Sequence, residues 1–305
     1  MKRRTSRMSS PPFFSLLCVT LLMGVCAGCG SSQRYAGTFD IGAGRKMYME
    51  CSGIGTPTVV LISGKGNRAD TWSTNIRDPQ HPQATVFRQT SWFARVCAYD
   101  RPLTVGVHDE PSRSDPVPEP VTPKDGVADL HALLAAANVR GPYVIVGHSY
   151  GGLIARLYAS TYPQDVAGLV LEDALSEGLY DRLTADEREI FKKINVGPED
   201  FDIVRSFAQV TSAPRIRPMP MDILTADLTP ISSQDIAAGM FPPYVTQEFA
   251  DALWAAQIAA QNSLANLFPY ARHITKTNSH HYIHYEQPQL VVDAIDEVRA
   301  ATQSH

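Results

Sequence analysis

Apolar residues fall in short dense runs separated by polar stretches bearing Gly and Pro. Residues 58–62 read Thr-Val-Val-Leu-Ile, and strand-length runs recur at 46–51, 93–99, 143–146, 166–171 and 221–224. Several are apolar throughout rather than alternating, which predicts strands buried on both faces, as in a parallel sheet between helical layers. Helix formers dominate 152–162 and 247–267, and 288–301 opens on Pro288, a residue suited to a first helical turn. A last strand is expected at 273–277. Strand and helix signals alternate, so the expected fold class is α/β, a mostly parallel central sheet flanked by helices.

Two segments interrupt the alternation. Residues 111–123 carry Pro111, Pro116, Pro118, Pro120 and Pro123 and read as an extended surface loop. Residues 176–219 are charged and weakly periodic, and predict two or three short helices. Lying between two core strands, they read as a small helical cap inserted over one end of the sheet. No internal repeat is visible.

The start of the chain reads as an address. Lys2, Arg3, Arg4 and Arg7 precede an apolar run at 13–25, too short to cross a ~30 Å hydrocarbon core, and small residues follow. That is the layout of a secretory signal. Cys26-Ala27-Gly28-Cys29 resembles the end of a bacterial lipoprotein signal, with Cys29 as the lipidated residue and Cys26 where leucine is usual. The expected division is a signal peptide at 1–28, a tether and first strand at 29–45, and one domain at 46–304 with its cap at about 176–219. The expected location is the cell envelope, with the membrane reached only through lipidated Cys29. The alternative is plain secretion.

Composition removes other classes. The 305 residues are 44% hydrophobic and 19% charged, enough apolar material for a full core. Lys and Arg number 27 against 31 Asp and Glu, a net charge of −4, so no basic excess exists to hold nucleic acid. Five cysteines are too few for a disulfide scaffold, and their spacing is not that of a zinc site.

The chemistry concentrates at 143–152, Tyr-Val-Ile-Val-Gly-His-Ser-Tyr-Gly-Gly. It holds G-x-S-x-G between an apolar strand and a helix. A sharp strand-to-helix turn there would project the Ser149 hydroxyl from the sheet, with a helix N-terminus behind it to favour developing negative charge. A serine hydroxyl needs a base to become a nucleophile. The segment after the last expected strand, Ser279-His280-His281-Tyr282-Ile283-His284-Tyr285-Glu286-Gln287-Pro288, offers three histidines. As a metal set they lack a carboxylate at helical spacing, so no metal is expected.

With these motifs the chain resembles the α/β-hydrolase superfamily over nearly all of 58–298. In that family the base precedes an E-x-P element by five residues, which selects His281 through Glu286 and Pro288. The loop Ser63-Gly64-Lys65-Gly66 matches the family's first Gly-rich loop, although histidine is usual at position 63. The match implies an oxyanion hole made by the backbone amides of Lys65 and Tyr150. Ala98-Tyr99-Asp100-Arg101-Pro102 matches a neighbouring loop, with Leu103 and Val105 where glycines are usual, and its role is read as structural. The family places the acid after either of two strands, here at Asp173 or near Asp227, and Asp173 is taken. The resemblance also makes the strands bearing Cys51 and Cys97 neighbours, implying a disulfide.

The expectation is a serine hydrolase of small-molecule carboxylic esters, acting through an acyl-enzyme without cofactor or metal. Its catalytic set is Ser149, His281 and Asp173. The alternatives are a non-catalytic envelope binding protein on the same fold and an acyltransferase using the same three residues.

Overall fold

The computed structural model describes residues 34–303. The signal segment and Cys29 lie outside the described residues. The strands are β1 (Tyr35–Gly42), β2 (Arg45–Ser52), β3 (Thr58–Ile62), β4 (Val96–Tyr99), β5 (Tyr143–His148), β6 (Val166–Glu172), β7 (Met221–Leu224) and β8 (Arg272–Ile274). They form one sheet in the order β1-β2-β4-β3-β5-β6-β7-β8. β2 pairs antiparallel with both β1 and β4, and every later pairing is parallel.

The helices are α1 (Val86–Thr90), α2 (Pro123–Ala136), α3 (Tyr150–Thr161), α4 (Glu177–Arg182), α5 (Ala185–Ile194), α6 (Ile203–Thr211), α7 (Ser233–Ala237), α8 (Gln247–Leu267), α9 (Ile283–Glu286) and α10 (Pro288–Thr302). Two cores separate them. In β3, Val60 and Ile62 join a cluster that includes Leu130 and Leu133 of α2 and Leu153 and Ile154 of α3. Val59 and Leu61, between them in sequence, join the opposite cluster with Phe87 of α1 and Ile295 of α10. A continuous apolar run is thus two alternating half-strands, one for each helical layer. Each fully buried aliphatic side chain contributes roughly 1.5–3 kcal/mol.

Two strand boundaries and one helix differ from expectation for local reasons. The strand expected at 93–99 begins only at Val96, because the N–H groups of Phe93 and Ala94 bond to the Thr90 carbonyl as α1 ends. The last strand stops at Ile274, after which Thr277 Oγ1 and the Ser279 N–H turn around Asp227 Oδ1, both at 3.1 Å. Helix α2 lies directly behind the proline-rich loop. Its signal was present as Thr122-Pro123-Lys124-Asp125, a capping box with proline in the first turn.

The expected cap segment forms α4, α5 and α6 between β6 and β7. Ser149, Asp173 and the His281 loop all follow the C-terminal ends of parallel strands, so one end of the sheet collects them.

Cys51 of β2 and Cys97 of β4 are register partners and form a disulfide across 46 residues of sequence. Chain-entropy arguments give such a closure about 4 kcal/mol. A Cys51→Ala/Cys97→Ala variant is expected to lose stability of that order in urea unfolding. A loss below about 1 kcal/mol would show that the link constrains the unfolded chain little.

Candidate active site

Strand β5 passes into α3 through Ser149, whose φ of 51° and ψ of −121° lie outside the ordinary regions for a side chain. The surroundings hold it there. Its N–H donates to the Glu172 carbonyl at 3.1 Å, and its own carbonyl accepts from Gly152 and Leu175, each at 2.9 Å. The turn also needs close approach. A Cβ on Gly151 would lie against the Ile62 and Ser63 carbonyls, and one on Gly147 would lie 2.7 Å from the Gly151 carbonyl. The two glycines of G-x-S-x-G let the turn nest against the end of β3.

His281 Nδ1 donates to Asp173 Oδ2 at 2.6 Å. A carboxylate only accepts, so this contact places the ring proton on Nδ1 and leaves Nε2 as the free lone pair. Asp173 sits just past β6 at φ 38°, its N–H bonded to the Leu224 carbonyl at 2.7 Å. Its Oδ1 accepts from the Ala226 N–H and from Gln257 Nε2 of α8, both at 3.2 Å. Asp173 is buried, while the His281 side chain is 31% exposed. Burial opposes the imidazolium, but the Asp173 carboxylate outweighs it and holds His281 above its ordinary value of 6.5. Asp227, the other candidate acid, instead shapes the backbone leading to His281 through Thr277 and Ser279.

Ser149, Asp173 and His281 open on one cavity of about 450 Å³ that Lys65 and Tyr150 also line. Its walls are mostly apolar, with Leu179, Phe191, Ile194 and Phe201 from the cap region. The roof extends beyond 176–219, because Ile231, Phe241, Leu253 and Trp254 complete it. That second portion comes from the long β7–β8 crossover, whose helix α8 was legible but whose position was not.

The three histidines of the 279–288 segment do not converge. His280 bonds to Glu286, His281 to Asp173 and His284 to Glu172, each through Nδ1. Among the described residues, the grouping nearest to a metal site is His148, Glu172 and His284, whose donor atoms lie within 4.8 Å of one another. His284 is engaged with Glu172 and His148 with the His281 carbonyl, while His148 Nδ1 and Glu172 Oε2 are buried without a hydrogen-bond partner. The N–H and Nδ1 of His284 both reach Glu172 Oε1, at 2.8 and 2.6 Å, and His148 Nε2 donates to the His281 carbonyl at 3.0 Å. Burial first, then the neighbouring histidines, push His148 well below 6.5 and keep it neutral. The three residues tie the His281–His284 segment to the strand ends beneath it.

The Arg101 loop is more than a connector. Arg101 is buried, donates to the Ser63 and Gly64 carbonyls at 2.9 and 2.6 Å, and pairs with Glu199. Leu103 occupies a left-handed conformation (φ 67°). Position 101 was visible in sequence, but its partner at 199 carries no local signal.

The sequence pattern of the family described as "Alpha/beta hydrolase family" matches residues 59–294. A Hormonema carpetanum protein described as "Probable transporter efuK" is 28% identical over 167 residues, 53% of this chain and 22% of its own length. The chain spans about a quarter of the first curated relatives it matches, 22% and 26% of their lengths. The structure of carboxylesterase CesB (YbfK) from Bacillus subtilis has a TM-score of 0.54 at 14% identity, covering 87% of this chain and 91% of that one. A thermophilic esterase from Thermogutta terrifontis gives 0.53 at 19% identity, covering 87% and 97%. At such identities the likeness is one of fold.

The Asp173 contact makes a direct prediction. The His281 imidazole, followed by NMR, is expected to titrate with a midpoint above 6.5. In Asp173→Asn the raising partner is gone while burial stays, so the midpoint falls. An unchanged midpoint would mean that Asp173 does not set the charge of His281.

Proposed function

We propose, from the premise that the chain belongs to the alpha/beta hydrolase family, that it is a serine hydrolase of carboxylic esters with apolar acyl groups. The observation that carries this reading is the 2.6 Å His281–Asp173 contact on the same cavity as the strained Ser149 turn. His281 Nε2 takes the Ser149 hydroxyl proton as Oγ attacks the ester carbonyl carbon. The carbonyl oxygen becomes an oxyanion facing the Lys65 and Tyr150 amides, donors of a kind worth about 2.7–4 kcal/mol each. The tetrahedral intermediate collapses, His281 passes its proton to the departing alkoxide, and an acyl-enzyme remains on Ser149. A water then loses its proton to the same nitrogen and attacks the acyl carbon; the bond to Ser149 Oγ breaks, His281 returns the proton to that oxygen, and the acid leaves. Asp173 stays ionised throughout, holding the ring orientation and stabilising imidazolium.

The substrate class follows from the walls. Leu179, Phe191, Ile194 and Phe201 offer apolar surface to an acyl chain, each buried CH₂ contributing about 0.8 kcal/mol. Lys65 Nζ, the cation nearest this wall, is engaged with the Pro198 carbonyl at 2.8 Å. The cavity therefore favours a neutral aliphatic acyl group over a charged one.

The protein is read as exported and held at the cell envelope by a lipid on Cys29, which follows from the signal-like start and Cys26-Ala-Gly-Cys29.

The central test is fluorophosphonate labelling beside hydrolysis of p-nitrophenyl esters from acetate to octanoate. Ser149→Ala is expected to abolish labelling and to lower kcat by an order of about 10⁶. Turnover should fall as pH drops through the raised His281 midpoint, because the base works neutral. A folded wild type that neither labels nor hydrolyses any ester would remove the hydrolase reading. For the anchor, incorporation of an alkyne fatty acid is expected in the wild type and lost in Cys29→Ser; equal incorporation in both would exclude Cys29.

A further inference from the structure

The loop carrying Lys65 is held from the cap. Arg101 donates to the two carbonyls before Lys65, those of Ser63 and Gly64. Its Nη2 also meets Glu199 Oε2 at 2.8 Å, with a second contact from Nε to Oε1. Glu199 Oε2 accepts the Gly66 N–H, just after Lys65, at 2.7 Å. One buried ion pair thus fixes the backbone on both sides of Lys65, in a loop that carries serine at position 63.

Glu199 does not come from the sheet. It lies between α5 and α6, in the cap, at the left-handed φ of 59°. Its neighbours dock there too. The Pro198 carbonyl holds Lys65 Nζ, and the Phe201 ring packs 4.6 Å from Tyr150, the residue after Ser149. The Asp200 carbonyl accepts the Val121 N–H at 2.9 Å, and the Asp202 N–H returns to the Val121 carbonyl at 3.1 Å. Residues 198–202 are a strap across the nucleophile end of the sheet. A buried ion pair is a poor source of stability compared with apolar packing of equal volume. What it supplies is a fixed geometry at the carbonyls and amide it touches.

We propose that Arg101 and Glu199 are positioning residues that hold the Lys65 amide in its oxyanion-binding place only while the 198–202 strap is docked, so that roofing the acyl cavity and completing the oxyanion hole are one event. Phe201 lines the cavity, so an acyl chain packed against it favours the docked strap. This inference rests on the hydrolase reading for its catalytic half. Its structural half, the clamp on residues 63–66, stands apart from it.

The test compares wild type with Glu199→Gln and with Arg101→Met/Glu199→Met, which removes both charges together. Hydrogen exchange of the peptide spanning 63–67 reads the clamp, and thermal melting reads global stability. Kinetics on p-nitrophenyl butyrate and inhibition by phenylboronic acid, which forms a tetrahedral adduct, read the oxyanion hole. In Glu199→Gln the 63–67 amides are expected to exchange faster relative to the core strands, and the melting temperature to fall, because Arg101 is left buried without its counter-charge. The kcat should fall about 10- to 100-fold, short of the roughly 10²–10³ for losing a donor outright. KM should stay within about threefold, and boronate affinity should fall in step with kcat. The double variant should behave alike if it folds; if it does not, the Glu199→Gln result decides. Wild-type kcat and boronate affinity in a folded variant, or unchanged exchange at 63–67, would overturn the proposal. Faster exchange in Glu199→Gln with no ester turnover even in wild type would leave the clamp standing and remove the hydrolase reading.

Discussion

The backbone of Ser149 is the constraint on which the rest of the site depends. A residue held at φ 51° and ψ −121° carries strain of about 1–3 kcal/mol, and it persists only where the surroundings over-determine it. Here three neighbouring strand ends do so. β5 delivers the residue, β6 accepts its N–H through the Glu172 carbonyl, and the β3 end receives the turn at Gly151. The order β3-β5-β6 in the sheet makes these contacts simultaneous. It also places the Lys65 loop on one side of Ser149 and Asp173 on the other. The positions of the Lys65 loop, Ser149 and Asp173 are therefore consequences of strand order.

Beneath that surface runs a second layer of polar contacts. Glu172 and Asp173 are consecutive, and the sheet's alternation sends them apart. Asp173 faces the cavity and meets His281, whereas Glu172 turns inward and meets His284, three residues further on. Two parallel histidine–carboxylate contacts thus join the end of β6 to the loop after β8. His148, neutral because burial and its neighbours forbid charge, adds a third tie at the His281 carbonyl. Leaving one partner of a buried hydrogen bond unsatisfied typically costs about 1–3 kcal/mol. Movement of the base loop is accordingly expensive, and the His281 ring needs only the Asp173 contact to fix its remaining freedom.

What could be read from sequence divides along the same line. Strands such as 58–62 were legible because burial on both faces leaves an uninterrupted apolar run, and Ser149 because its turn requires glycine at fixed offsets. His281 was selected by a spacing to Glu286 and Pro288, and the Glu286 contact to His280 shows what that glutamate does to the loop. Asp173 was separated from Asp227 only by the resemblance; in space the distinction is plain, since one meets the imidazole and the other the backbone before it. Helix α2 was hidden by the prolines ahead of it, although its capping box was in view. The Arg101–Glu199 pair was beyond reach, because 98 residues separate partners that no local pattern connects. The second half of the roof was missed for the same reason: nothing local shows that 226–257 bends back over the cavity.

The distribution of polar ties also says where this fold can vary. On the sheet side, the Ser149 turn, Asp173 and the His281 loop are bound by many short backbone and side-chain contacts, so change there disturbs several at once. On the roof side, the cavity walls are mostly apolar and built from side chains such as Phe191, Ile194 and Trp254. Apolar packing tolerates exchange of volume for volume at modest loss. The shape of the cavity can therefore change through the roof without touching the His281–Asp173 contact. Glu199 is the exception: it is a roof residue by sequence and a sheet-side residue by its contacts. A change at that position disturbs the Lys65 loop through Gly66 and Arg101, whereas a change at Phe191 alters the cavity wall alone.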